Sequence, residues 1–134
     1  MRIFAVLMML TLVGCSGQPA TLPPDQLDYS GTWRVTYTLD QKPPIFSQVS
    51  LTTLTLSKFA TGFSGKEVAD ILALTCNATL TVKGSTGSYL CSYGPLLPSF
   101  QVTLNLDTPN RFTGKYSANF SGATIPGSVV FVRQ

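Results

Sequence analysis

From Gly31 onward, apolar residues recur at every second position, in short runs. Trp33, Val35, Tyr37 and Leu39 share one parity, while Thr32, Arg34, Thr36 and Thr38 share the other. Successive side chains point to opposite faces only in an extended strand, so this spacing predicts a strand with one dry face. The pattern returns at Leu74, Cys76, Ala78, Leu80 and Val82, at Tyr89, Cys91 and Tyr93, at Phe100, Val102, Leu104 and Leu106, and at Phe112, Gly114, Tyr116, Ala118 and Phe120. Segment 128–133 is apolar on both faces. Within 49–56 the parity changes, since Val49 and Leu51 are odd and Leu54 and Leu56 even, which predicts a bulge or bend at Thr52 and Thr53. Segment 66–74 is ambiguous. Val68, Ile71 and Leu72 would share a helical face with Glu67 near its start, or the stretch runs as a loop into the next strand.

Turn-forming residues punctuate these runs at 83–87, 107–110 and 125–127. Charge is sparse, so Ser, Thr and Asn carry most of the polarity, a composition that suits strands better than long helices. Seven or eight short strands in about 105 residues, joined by local turns, must bury their dry faces on one another. The expectation is an all-β domain, a small antiparallel up-and-down barrel, with a β-sandwich as the alternative that alternation does not separate from it.

Ahead of this domain, Met1 and Arg2 make a short basic start, 3–13 is an uncharged apolar run, and Leu12-Val13-Gly14-Cys15 ends it. These are the parts of an export signal, and the run is shorter than the roughly 20 residues a spanning helix needs. The last four residues resemble the lipobox of bacterial lipoproteins: a branched residue three before the cysteine, a small one before it, then the cysteine that takes diacylglycerol. The resemblance implies cleavage before Cys15, lipid on that cysteine, and attachment to a membrane. Ser16, not aspartate, follows Cys15, so by the enteric sorting pattern the resemblance implies the outer membrane. The expected organisation is a signal peptide over 1–14, a lipidated and Pro-rich flexible tether over 15–28, and the β domain over 29–134.

Two thiols remain once Cys15 is lipidated. An exported chain crosses an oxidising compartment, so Cys76 and Cys91 are expected to form a disulfide, contributing about 3 kcal/mol. Both lie on dry faces of adjacent strands flanking the turn near Gly84. A register placing Val82 opposite Ser85 would set them directly across from each other.

Gly31-Thr32-Trp33 followed by an alternating strand resembles the opening of lipocalin and wider calycin barrels, which carry Gly-x-Trp on the first strand. Those barrels end with a basic residue packed over the tryptophan, and Arg133 stands where that residue would be. The resemblance thus implies a structural Trp33–Arg133 cation–π pair. The Phe-Ser/Thr-Gly triplets at 63–65, 112–114 and 120–122 resemble the late strands of small lipocalin-like domains. A barrel this short would also be able to fill its interior with its own side chains.

Catalytic templates are largely excluded. The chain has no histidine, so neither Ser-His-Asp nor Cys-His machinery nor a histidine metal site can be assembled. Gly65-Lys66 and Gly114-Lys115 lack the spacing of a phosphate loop, and no Ser-x-x-Lys occurs. A carboxylate pair such as Glu67 with Asp70 is what acid–base or cation chemistry would use, and a solvated loop is the plainer reading. Nine basic and six acidic residues, scattered, offer no nucleic-acid stripe. The expectation is a non-enzymatic protein without cofactor or metal. It would act as an interaction or structural module toward an envelope protein, using Leu96 and Leu97 between Pro95 and Pro98 as a contact loop. The alternative is a carrier of a small apolar ligand, lined by Tyr37, Tyr89, Tyr93 and Tyr116.

Overall fold

The computed structural model describes residues 22–43, 47–70, 74–93, 99–120 and 122–134. Eight antiparallel strands follow one another in sequence: β1 (Gly31–Leu39), β2 (Val49–Phe59), β3 (Gly62–Ala69), β4 (Thr75–Lys83), β5 (Thr86–Ser92), β6 (Phe100–Thr108), β7 (Arg111–Phe120) and β8 (Ala123–Arg133). Each pairs with its neighbours in sequence, and β1 pairs with β8 from Trp33↔Arg133 to Leu39↔Gly127. The sheet therefore closes into an up-and-down barrel, with no strand edge left unpaired. The β-sandwich alternative is ruled out by that closure.

Alternation translates directly into inside and outside. Trp33, Val35, Leu54, Leu56, Leu80, Tyr89, Val102, Leu104, Phe112, Val129 and Phe131 are buried, and the threonines between them face outward or sit at intermediate exposure. One end of the barrel is filled by rings. Trp33 stacks on Phe112 at 4.5 Å, and Tyr29, just before β1, meets Phe112 and Phe63 edge-on at 5.1 and 5.7 Å. Trp33 Nε1 donates to Tyr29 O at 3.0 Å, and Tyr29 Oη donates to Pro24 O at 2.6 Å, so both polar tips are satisfied while the rings stay dry. The segment bearing Pro24 is a 3-10 turn, Pro24–Gln26, held by Asp25 accepting from the Gly84 amide at 3.3 Å and by Leu27 packing against the core. Packed structure thus starts ahead of Tyr29. Residues 24–28, expected to be tether, form the plug of this end, because Leu27 and the Tyr29 hydroxyl need partners there.

Four local expectations differ from what is observed. β2 pairs with β1 without interruption from Gly31↔Leu56 to Thr38↔Val49, so there is no bulge at Thr52 and Thr53. Instead Val49 and Leu51 lie outside, and Thr52 points in and is buried. Lys66 to Ala69 complete β3 rather than a helix, while 71–73 lie outside the described residues. Ile125-Pro126-Gly127, expected to turn, is extended within β8. Its glycine serves close packing, since a Cβ on Gly127 would lie 2.6 Å from Thr38 O and 3.0 Å from the Tyr116 ring. Finally, β4 and β5 are joined by the two-residue turn Gly84-Ser85 with Lys83↔Thr86 paired, which sets Ala78, not Cys76, opposite Cys91. The cysteines are diagonal neighbours, and the twist of the ribbon brings their Cα atoms to 5.6 Å, where the Cys76–Cys91 disulfide forms.

Arg133 ties the closing seam. Its guanidinium lies 4.6 Å from the Trp33 ring centre, Nη1 donates to Ser30 O at 2.7 Å, Nη2 to Asp28 O at 3.0 Å, and Nε to Asn110 Oδ1 at 2.9 Å. One side chain thereby fastens the entry to β1, the β6–β7 turn and the end of β8. Arg133→Ala is expected to lower unfolding stability by about 2 kcal/mol, and Arg133→Lys to recover less than half of that, because an ammonium cannot span the three acceptors. Urea denaturation of the three proteins measures both.

Candidate functional site

The opposite end of the barrel is built differently. Its interior holds a cavity of about 340 Å³, walled by Tyr37 and Leu39 of β1, Phe100 of β6, Tyr116 of β7, Leu74 and Tyr93. The interior, expected to be able to fill itself with its own side chains, does so only toward the Trp33 end. Three rings form the firmest part of the wall. Tyr37, Phe100 and Tyr116 meet pairwise edge-to-face at 5.6, 5.5 and 5.4 Å between centres, an arrangement that lets each quadrupole support the next.

At the inner end of this cavity stands Glu67, 3% exposed. It reaches the interior because β3 continues the inward parity of Phe63 and Gly65. Gly65 itself is required by a close approach, since any Cβ there would collide with Thr55 O of β2. Three hydroxyls converge on the carboxylate. Tyr37 Oη and Thr52 Oγ1 each donate to Oε2 at 2.6 Å, and Tyr89 Oη donates to Oε1 in a short contact. A carboxylate is an acceptor with about four lone-pair sites, so three O–H donors solvate it in place of water and leave one site over. No cationic side chain joins them among the described residues; the nearest ion pair, Arg34–Asp70, lies on the outer face and is about one-third exposed. Glu67 and Asp70 are therefore not a working pair, as the parity of β3 sends the first inward and Asp70 bonds Arg34 outside.

The tyrosines feel this charge. Burial, then the Glu67 charge, raises the Tyr37 and Tyr89 hydroxyls well above the ordinary phenol range, and raises Tyr93 less. Burial and the nearby Asp40 push Tyr116 up to about 12. Glu67 also lies close to the sulfurs of Cys76 and Cys91, within 4.8 Å. Those sulfurs are spent on each other in the disulfide and carry no thiolate, so this trio offers a metal one oxygen ligand and no site.

Of the four tyrosines expected as lining, Tyr37, Tyr93 and Tyr116 border the cavity, while Tyr89 lies beneath it and acts through Glu67. Trp33 and Arg133 are in contact at the other end. Cys15, Leu96 and Leu97 lie outside the described residues. Sequence reasoning took Glu67 only as half of a carboxylate pair with Asp70, and missed Thr52 and Phe100 as site residues. The signal for Glu67 and Thr52 was mutual: two polar residues falling on dry faces of adjacent strands imply a hydrogen bond across them. No family model matches this chain, and neither curated proteins nor solved structures yield a match.

Two outcomes are expected here. Glu67→Ala leaves three buried hydroxyls without their acceptor and should cost about 2–4 kcal/mol in stability, with Glu67→Gln costing less because its amide oxygen still accepts. All five tyrosines have raised folded-state pKa values, so their contribution to stability is complete below the unfolded value near pH 10 and is lost as pH rises beyond it. Tyrosinate absorbance near 295 nm should therefore rise together with alkaline unfolding followed by circular dichroism, and not ahead of it.

Proposed function

We propose that this protein is a lipid-anchored binding protein of the bacterial envelope, whose barrel holds a small, largely apolar ligand in the cavity between Tyr37, Phe100 and Tyr116. The cavity carries this reading. Pockets for small ligands are concave and mainly apolar, with a few placed polar groups, and this one has aromatic rings, Leu39 and Leu74 around a single buried carboxylate. A barrel filled from end to end would have left only its surface to act with, which is the interaction-module reading; the cavity favours the carrier.

The anchor rests on the lipobox-like Leu12-Val13-Gly14-Cys15. Two or more acyl chains give lasting attachment where one is marginal, at about 0.8 kcal/mol per buried methylene. The plug at Pro24–Gln26 belongs to the sealed end, nine residues after Cys15, a reach of at most about 30 Å. Anchored there, the barrel would stand with its sealed end toward the membrane and its cavity away from it.

Palmitate labelling of the full chain should mark the wild type and not Cys15→Ala; label on both proteins would refute the anchor. Native mass spectra of the chain bearing Cys15→Ser, secreted from its host and compared before and after organic extraction, should show an extra mass that extraction removes. If only the bare chain is found, the carrier reading fails and the search turns to an envelope protein partner.

A further inference from the structure

The cavity joins two features that rarely serve a neutral ligand together. Its inner end is the Glu67 carboxylate, buried with hydroxyl donors only, and its side wall is a set of aromatic rings. Glu67 is the sole charged residue of the barrel interior among the described residues, and the positive charges of this chain that the structure describes lie on the outer surface or, with Arg133, at the sealed end. Three hydroxyls occupy three of its roughly four acceptor positions, so one further N–H donor completes the set. The negative face of an aromatic ring attracts a cation, and more strongly where water is excluded. Tyr37 serves both elements, since its ring walls the cavity while its hydroxyl holds Glu67. Beyond the cavity lining, Asp40 adds to the effect of burial in raising the Tyr116 hydroxyl, and exposed Lys42 lies two residues further along the chain.

From this arrangement we infer that the ligand is an amphiphilic organic amine, bound as its ammonium ion with one N–H on Glu67, the charge beside the Tyr37, Phe100 and Tyr116 rings, and its apolar body along Leu39 and Leu74. The inference rests on the carrier reading and narrows it. A fatty acid, the usual guess for an apolar barrel, is disfavoured because its carboxylate would meet Glu67 with no intervening cation. A neutral alcohol would satisfy the fourth acceptor position but leave the charge uncompensated.

Three probes with one tail and different heads separate the possibilities: octylammonium, octanol and octanoate, each titrated calorimetrically at pH 7 into the full chain carrying Cys15→Ser. Octylammonium is expected to bind at least tenfold more tightly than octanol, and octanoate more weakly than either. Equal or tighter binding of octanol or octanoate overturns the amine assignment while leaving a carrier. Binding of none of the three overturns the carrier reading itself. Glu67→Gln should bring octylammonium down to the affinity that octanol shows in the same variant; an undiminished ammonium preference in that variant refutes the role given to Glu67. Should Glu67→Gln fail to fold, Phe100→Leu gives the same reading at the wall. It keeps the apolar volume but removes a ring face, and is expected to cut the ammonium preference about threefold to tenfold; an unchanged preference there refutes the ring contribution.

Discussion

Everything in this fold depends on the pairing of β1 with β8. The other seven pairings join strands adjacent in sequence and would exist equally in an open meander, whose two edges would be templates for aggregation. Closing the meander converts one face of every strand into interior. That alone makes the inward parity of Trp33, Leu54, Leu80, Leu104 and Phe131 compatible with burial. The seam is reinforced where the sheet alone would be weakest, at its terminal pair. Arg133 pairs with Trp33 through the backbone, covers its ring, and collects carbonyls from Asp28, Ser30 and Pro109. Its charge is thus spread over acceptors that belong to two separate parts of the chain, the entry to β1 and the β6–β7 turn.

The two ends of the barrel solve one problem in opposite ways. At the Trp33 end, large rings fill the interior behind a short N-terminal plug, and the polar tips of Trp33 and Tyr29 are turned to backbone carbonyls. At the Glu67 end the chain places a charge instead of a ring, and a charge must be solvated. Tyr37, Thr52 and Tyr89 do this from three strands, which fixes their rotamers and holds the ring of Tyr37 in position as wall. Packing density and binding capacity are therefore segregated along the barrel axis, with the disulfide and Glu67 near the boundary between them.

Much of the architecture was legible because alternation is a geometric consequence of extended backbone. Where β1, β4, β5, β6 and β7 carried apolar residues at one parity, the inward face could be read directly. The reading failed where inward positions were polar or lacked a side chain. In β2, the buried Thr52 and the outward Val49 and Leu51 imitated a phase slip; in β3, the inward Gly65 and Glu67 and the outward Val68 imitated a helix or loop. Both failures have one cause, since Thr52 and Glu67 are inward for each other's sake, and single-strand patterns carry no information about partners across a ladder. The disulfide was legible as a pairing, but its diagonal geometry depended on a two-residue turn that turn composition alone did not resolve. Gly127 shows the same limit, since a glycine needed for contact with Thr38 and Tyr116 reads in sequence like a glycine needed for a turn.

The position of Arg133 at the end of the last barrel strand has a temporal consequence. Hairpins between neighbouring strands close small loops and can form as soon as both strands exist, whereas the seam must bring together residues about a hundred positions apart. A chain delivered from its N-terminus by a ribosome has nothing to close against until the end of β8 arrives. Up to that moment its hairpins lack both the Trp33 cover and a finished interior, so they remain loose. The barrel would then be committed in a single late event, and the residues of β8 would be those that complete it.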